Sequence, residues 1–422
     1  MPGAAARLRG LLARGGAMWR DMALATLASA GGQGIMLLAT PLLARSYGPV
    51  PFGHWSIVVA VAGVIATIAA LRFDQALGGA PDGEVKRLAM LALVLPLAVV
   101  PLLALVLEGA ILFGYAKTFD RAIVPMVAVV AVPQGLVTVL VAIAIRLGKF
   151  RALAMMRFAQ PLVFVAAALL VVRHLETAMA IGWCFATLAG LLYLLPLGDR
   201  SDDGAAAADT RSLVRRYWQF PAIATPLSFL DVLALALPVL FIAGSYGPGI
   251  AGAYGQLQRL LGGPLSIVAA AAGQVYVRHA GVALRAGEDD RRIMRHILLA
   301  MLALSLATLT AVILFGAPLL ALVLGPKWQI GRDFLIAATI SFLPKAIGGP
   351  ISGFFPLTRR VTTFAGWQFC YFLSTLSILA LATRYLPPGG ALLVLACGDT
   401  LLYSALVLLA WTAARHRVAS AG

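Results

Sequence analysis

Ser46-Tyr47-Gly48-Pro49 leads into Gly53-His54-Trp55, and Ser245-Tyr246-Gly247-Pro248 leads into Gly252-Ala253-Tyr254. The offset between the two stretches is 199 residues at every matched position. In each, Gly-Pro suits a tight turn, and the later glycine is expected to open the next helix without a Cβ. Each stretch follows an apolar run long enough to cross a bilayer. The match therefore occupies the same topological place in two halves of the chain and reads as an internal repeat.

The rest of the sequence fits around that repeat. Hydrophobic residues make up 61% of the 422 and charged residues 12%, against about a quarter charged in soluble domains. Mean hydropathy is +0.93. A span needs about 20 apolar residues. About twelve such runs occur, at 22–43, 53–72, 86–107, 122–145, 152–172 and 178–197, then 219–243, 250–277, 297–324, 333–356, 363–383 and 389–413. The expected fold class is an all-α integral membrane protein of two six-helix halves. Residues 1–198 form one bundle, 199–217 a cytoplasmic linker and 218–422 the other. Asp199 to Gly204 and the alanines after it read as flexible. Six is even, so both halves enter the membrane in the same sense. Such parallel repeats commonly rock around a central site.

Charge placement gives the spans a direction. With the N-terminus inside, 23 Lys and Arg fall in cytoplasmic segments and 7 in outer ones, with Arg157, Arg259 and Lys345 inside spans. This is the positive-inside bias, and it places both termini in the cytoplasm. The net charge of +16 is thus topological, with an affinity for anionic membrane lipid, and nucleic acid is not an expected partner. Ala28-Ser29-Ala30 imitates a signal-cleavage site, but the apolar run continues to Leu43, so the first helix is expected to be retained.

Leu42-Leu43-Ala44-Arg45-Ser46-Tyr47-Gly48-Pro49, then Phe52-Gly53-His54-Trp55-Ser56, resembles the first-loop signature of the polysaccharide and O-antigen (Wzx-type) flippases. That family shares a superfamily with the multidrug and toxin extruders. Arg72-Phe73-Asp74-Gln75-Ala76-Leu77, Leu230-Asp231 and Gly273-Gln274-Val275-Tyr276 are similar to further family features. The resemblance implies a MATE-like, V-shaped pair of bundles around a cationic cavity in the bacterial inner membrane. It implies undecaprenyl-pyrophosphate-linked oligosaccharide as cargo, moved toward the periplasmic leaflet for polysaccharide biosynthesis. It also implies a polysaccharide polymerase and a chain-length regulator as protein partners. Relatives that flip the peptidoglycan precursor often carry two further spans, which this chain lacks.

Charge at mid-membrane is costly and usually faces a cavity or a partner. Arg259 lies near mid-depth, with Gln256 three residues before it and Gly263 four after, on one helical face. Its planar donor fork suits phosphate; the alternatives are snorkelling or an internal pair. Lys345, beside Pro344, would draw the same anion or sit in an internal ion pair. Asp231 could carry a coupling proton or sodium ion, or neutralise Lys345 or Arg259. Arg157 could touch substrate but lies close enough to the inner end of its span to snorkel. Arg72 and Asp74 stand at the cytoplasmic mouth as a gate or a head-group site, with Asp74 as an ion carrier, or as an orientation anchor. Gln33, Gln134 and Gln160 more often bond between helices.

Enzyme chemistry has no visible constellation. No Gly-Lys-Ser/Thr phosphate loop and no histidine pair at metal spacing occurs, so neither cofactor nor metal is expected. Cys184, Cys370 and Cys397 lie in apolar runs as small hydrophobes. A membrane-embedded glycosyltransferase or polymerase would need longer outer loops. A cation-coupled multidrug exporter, the nearer rival, would call for more acid than Asp231 in the spans.

Overall fold

The structure is a computed structural model and describes residues 31–113, 121, 123–171, 178–194, 210–285, 289–358 and 360–421. Every regular element among them is helical. Helix α1 covers 31–47, and α2 (Pro49–Ala69), the short α3 (Phe73–Ala76), α4 (Asp82–Leu112) and α5 (Ile123–Arg146) follow. Then come α6 (Phe150–Ala166), α7 (Ala178–Leu194) and α8 (Thr210–Arg216). The second half runs through α9 (Thr225–Tyr246), α10 (Pro248–Leu257), α11 (Gly263–Arg285), α12 (Arg291–Ala311) and α13 (Ala317–Leu324). It closes with α14 (Arg332–Gly348), α15 (Phe354–Leu357), α16 (Val361–Tyr385) and α17 (Pro388–Ala421).

Ten helical stretches among the described residues are long and apolar enough to cross a membrane. Two further expected runs correspond to the shorter α1 and α7. This is a multi-pass membrane protein. The helices overrun the apolar windows: α4 begins at Asp82 and α12 at Arg291. Hydropathy marks where lipid ends, whereas backbone hydrogen bonding carries a helix on into the interface. The signal-like Ala28-Ser29-Ala30, the linker's Asp199-to-Gly204 stretch, Lys117, Arg173 and Arg359 lie outside the described residues. The far end of the expected linker is not irregular: Thr210–Arg216 is helical, anchored by fully buried Leu213.

The chain divides into two compact units, Met1–Ser46 with Val58–Phe229, and Tyr47–Ile57 with Leu230–Gly422. In the first, Phe73, Leu77, Leu88, Val139, Leu140 and Leu194 build the core. In the second, Tyr276, Met294, Ile351, Phe354, Phe355 and Leu406 do so. The first copy of the repeat motif, at the start of α2, thus belongs to the second unit.

There the two copies meet each other. Gly48 and Gly247 hold φ of 76° and 87°, a region open to glycine at little cost, and Pro49 and Pro248 each open the following helix. Proline suits that position because its missing N–H would lack an intrahelical partner there anyway. The expectation that Gly53 and Gly252 open these helices is corrected: each lies four residues inside. Their role is close approach. A Cβ on Gly53 would strike the Pro248 carbonyl oxygen, and one on Gly252 would strike that of Pro49. A Cβ on Gly255 would strike the Ser56 hydroxyl, and Ser56 and Gly255 are themselves 199 residues apart. Residue i of one copy meets j of the other and j meets i, the signature of a two-fold relation.

Candidate functional site

Close crossing of α2 and α10 determines what surrounds Arg259. The guanidinium carbon lies 3.6 Å from the centroid of the Trp55 ring. Its Nη2 donates to Ser56 Oγ and its Nη1 to Gln256 Oε1, each at 3.3 Å. Ser56 can accept because its own hydroxyl proton goes to the Phe52 carbonyl at 2.8 Å. Among the described residues no carboxylate lies within ion-pair distance of Arg259. Gln256 is fully buried, and its Nε2 closes no hydrogen bond. Arg259 and Gln256, expected on one helical face, bond directly to each other. Between Arg259 and Gly263 the chain makes a π turn, Gln258–Gly262, so ordinary helical spacing does not extend to Gly263. π turns of this kind recur at functional sites.

Lys345 sits elsewhere in the same unit, half-buried on α14. Its Nζ lies 5.3 Å from the Tyr371 ring centroid. It is within electrostatic reach of Asp399, Tyr254 and Tyr403. Asp399 is buried on α17. Tyr371 Oη, Thr375 Oγ1 and Asp399 Oδ1 are all buried without closing a hydrogen bond. Tyr371 stacks on Trp367 at 5.3 Å and meets Tyr403 edge-on at 5.7 Å. Asp231, exposed on α9, acts on Tyr371 and Tyr403. Among the described residues it forms no ion pair with Lys345 or Arg259.

The remaining candidates lie in the first unit. Arg72 Nη1 stands 3.9 Å from Asp74 Oδ2, and the Gln75 amide oxygen, turned inward, accepts from Arg72. Arg72 takes φ of 58°, uncommon outside glycine, which turns the chain from α2 into α3. Asp74 is buried, and burial pushes its carboxyl above the usual carboxylate range, opposed by the Arg72 charge and by backbone hydrogen bonds. Nearby ends are tied by charge: Arg146 to Asp82 at 2.6 Å and to the Leu77 carbonyl at 2.7 Å, Arg216 to Glu84 at 2.6 Å. Arg157 is half-buried on α6, and its carbonyl closes against α1 where a Cβ on Gly32 would sit. Gln134 Oε1 is buried without a partner.

No family profile matches the sequence, and no curated protein matches it. Solved structures do. A structure described as the inward-facing conformation of a multidrug resistance MATE family transporter of the MOP superfamily aligns over 94% of this chain and 95% of its own. Its TM-score is 0.61 at 14% identity. The lipid II flippase MurJ, in an inward closed conformation, aligns over 92% of this chain and 87% of its own, with TM-score 0.72 at 12% identity. A MOP superfamily transporter from Pyrococcus furiosus, described as having a binding pocket of reverse polarity, aligns over 95% and 96%, with TM-score 0.61 at 14% identity. The fold is that of the MOP superfamily transporters.

Within this MOP-type fold, the sequence singles out Arg259, Gln256 and Lys345 as candidates but not what surrounds them. Asp399 stands in Ala396-Cys397-Gly398-Asp399, eleven residues into the last apolar run. A carboxylate at that depth is as informative as Asp231 and could have been noted. Trp55 beneath Arg259 had a fainter signal: it is the 199-residue equivalent of Tyr254, and a two-fold crossing places both near the same helix pair.

Proposed function

We propose that this protein is a flippase for a lipid-linked oligosaccharide carrying a pyrophosphate. Arg259 is the observation that carries the reading. It is a permanent cation within a membrane-spanning stretch, held over the Trp55 ring, with two uncharged hydrogen-bond acceptors and no described acid partner. Burying such a cation without a partner is costly, and an anionic ligand compensates it. Arg259 carries five N–H donors and uses two here, leaving three, with the Gln256 amide adjacent. That donor array matches phosphoryl oxygens. An apolar groove of about 570 Å³ between α12, α14 and α17 suits the hydrocarbon portion of such an amphiphile. MurJ, of similar fold, is described as a lipid II flippase.

Deletion of the gene should leave lipid-linked sugar in the inner leaflet and reduce surface polysaccharide, restored by the wild-type chain and not by Arg259→Ala. Unchanged sugar export after deletion refutes the reading.

A cation-coupled drug exporter is the second reading, favoured by the acid and aromatic set of Asp399, Asp231, Tyr371 and Tyr403. Drug sensitivity on deletion with normal polysaccharide supports it and removes the first.

A further inference from the structure

The apolar groove lies on the far side of α14 from Arg259. Pro344 and Ile347 of α14 line the groove. Phe342 occupies the opposite face of that helix, where it stands 3.5 Å from the place a Cβ on Gly262 would take, in the π turn that contains Arg259. A lipid whose chain fills the groove therefore needs a second place for its phosphates. The geometry points to one: Arg292 and Arg295, at the start of α12, form with the groove a loading site for a polyprenyl pyrophosphate. The identity of this occupant rests on the flippase reading.

The groove encloses about 570 Å³. Helix α14 packs against both α12 and α17 and forms the floor. Leu299 and Leu302 stand on one wall, Ser404 and Leu408 on the other. The α12 wall continues into charge. Arg295 lies four residues before Leu299 and Arg292 seven before it, positions that share a helical face. At 1.5 Å per residue, Arg295 starts about 6 Å along the axis from Leu299. Basic first and apolar next is the order of a lipid whose phosphates sit at the interface and whose chain runs inward. The positive-inside pattern assigns this end of α12 to the cytoplasm, the side on which the cargo is loaded.

Neighbouring charges are already committed. Arg291 pairs with Asp289 at 2.6 Å and lies over the Trp411 ring of α17, 5.9 Å from its centroid, which bridges the two walls at this end. Asp290 is buried and accepts from the Tyr276 hydroxyl at 2.8 Å. Arg292 and Arg295 are exposed and form no ion pair among the described residues. Two such cations match a pyrophosphate, charged on each phosphorus, better than the single charge of a phosphodiester. The guanidinium fork also takes phosphoryl oxygens in pairs.

Photo-crosslinking tests the site. The purified full-length chain in detergent is mixed with a polyprenyl pyrophosphate carrying a diazirine on its hydrocarbon chain, irradiated and digested. In the wild type, label should fall on peptides containing Leu299 and Leu302 or Ser404 and Leu408. Unlabelled polyprenyl pyrophosphate should remove it; equal concentrations of inorganic pyrophosphate, phosphatidylglycerol or cardiolipin should not. Arg292→Ala combined with Arg295→Ala should raise the probe concentration for half-maximal labelling by about tenfold or more. Ser404→Trp, which fills the groove, should abolish the label. The proposal is overturned if the wild-type groove peptides stay unlabelled, or if either variant labels as the wild type does. It is equally overturned if inorganic pyrophosphate or a phospholipid displaces the probe as well as the polyprenyl pyrophosphate does. The wild-type labelling and its competition need no substitution, so a variant that does not fold leaves the proposal testable. Label in the groove without transport in liposomes refutes the flippase reading alone, and transport without label refutes this site alone.

Discussion

The carbonyl oxygen of Pro49 stands where a Cβ on Gly252 would lie, and the carbonyl of Pro248 stands in the same relation to Gly53. The two copies of a motif 199 residues apart in sequence are thus locked face to face, backbone on backbone. A backbone carbonyl within a helix cannot swing aside as a side chain can.

Gly252→Ala and Gly53→Ala should therefore destabilise the protein by about 1–3 kcal/mol, the range for overpacking a close contact. Gly249→Ala is the control, because its added Cβ meets only a Val50 methyl at 3.7 Å. Thermal unfolding of the full chain in detergent checks this. Equal midpoints for Gly252→Ala and Gly249→Ala would show that the crossing is loose.

Arg146 offers a comparison of two contacts on one side chain. Its partner Asp82 is fully exposed, and exposed ion pairs contribute about 0–1 kcal/mol. The Leu77 carbonyl depends on the same guanidinium, and losing a charge-assisted hydrogen bond costs about 1.5–3 kcal/mol. Asp82→Ala should be nearly silent and Arg146→Ala clearly destabilising, measured by the same unfolding assay. Equal losses would assign the stabilisation to the ion pair instead.

Asp74 gives a pH dependence with a definite sign. Burial raises its carboxyl in the folded state, so the folded chain binds this proton more tightly than the unfolded chain. Its contribution to stability then falls as pH rises from the unfolded value through the raised folded value, and is level on either side. Asp74→Asn should remove that part of the pH profile and gain stability relative to wild type at neutral pH. An unchanged profile, or a loss at neutral pH, would mean that Arg72 outweighs the burial.

How much of this was legible in sequence depends on distance along the chain. The spans were legible because lipid solvation acts on each run separately, and the repeat because its residues match at a constant offset. Arg259 with Gln256 was legible as a three-residue helical spacing. Trp55 under Arg259 was not, because that contact spans 204 residues and requires the crossing of α2 with α10. Gly53 and Gly252 were noticed for the right property, the missing Cβ, but assigned to a helix start. Proline at the first helical position already filled that role. Asp399 carries the same sequence signal as Asp231, a lone carboxylate in an apolar run; what sequence does not show is its company, because Tyr371 and Thr375 come from another helix.

Arg259 and its donor fork carry the central claim. Lysine at this position would keep the charge but lose the planar fork. The most direct test reconstitutes the full chain in liposomes with a polyprenyl-pyrophosphate-linked oligosaccharide and follows its appearance in the opposite leaflet. The wild type should move it, Arg259→Ala should lose at least about tenfold in rate, as expected for about 1.4 kcal/mol or more, and Arg259→Lys should fall between them. Movement by Arg259→Ala at the wild-type rate, or no movement by the wild type, would contradict the account.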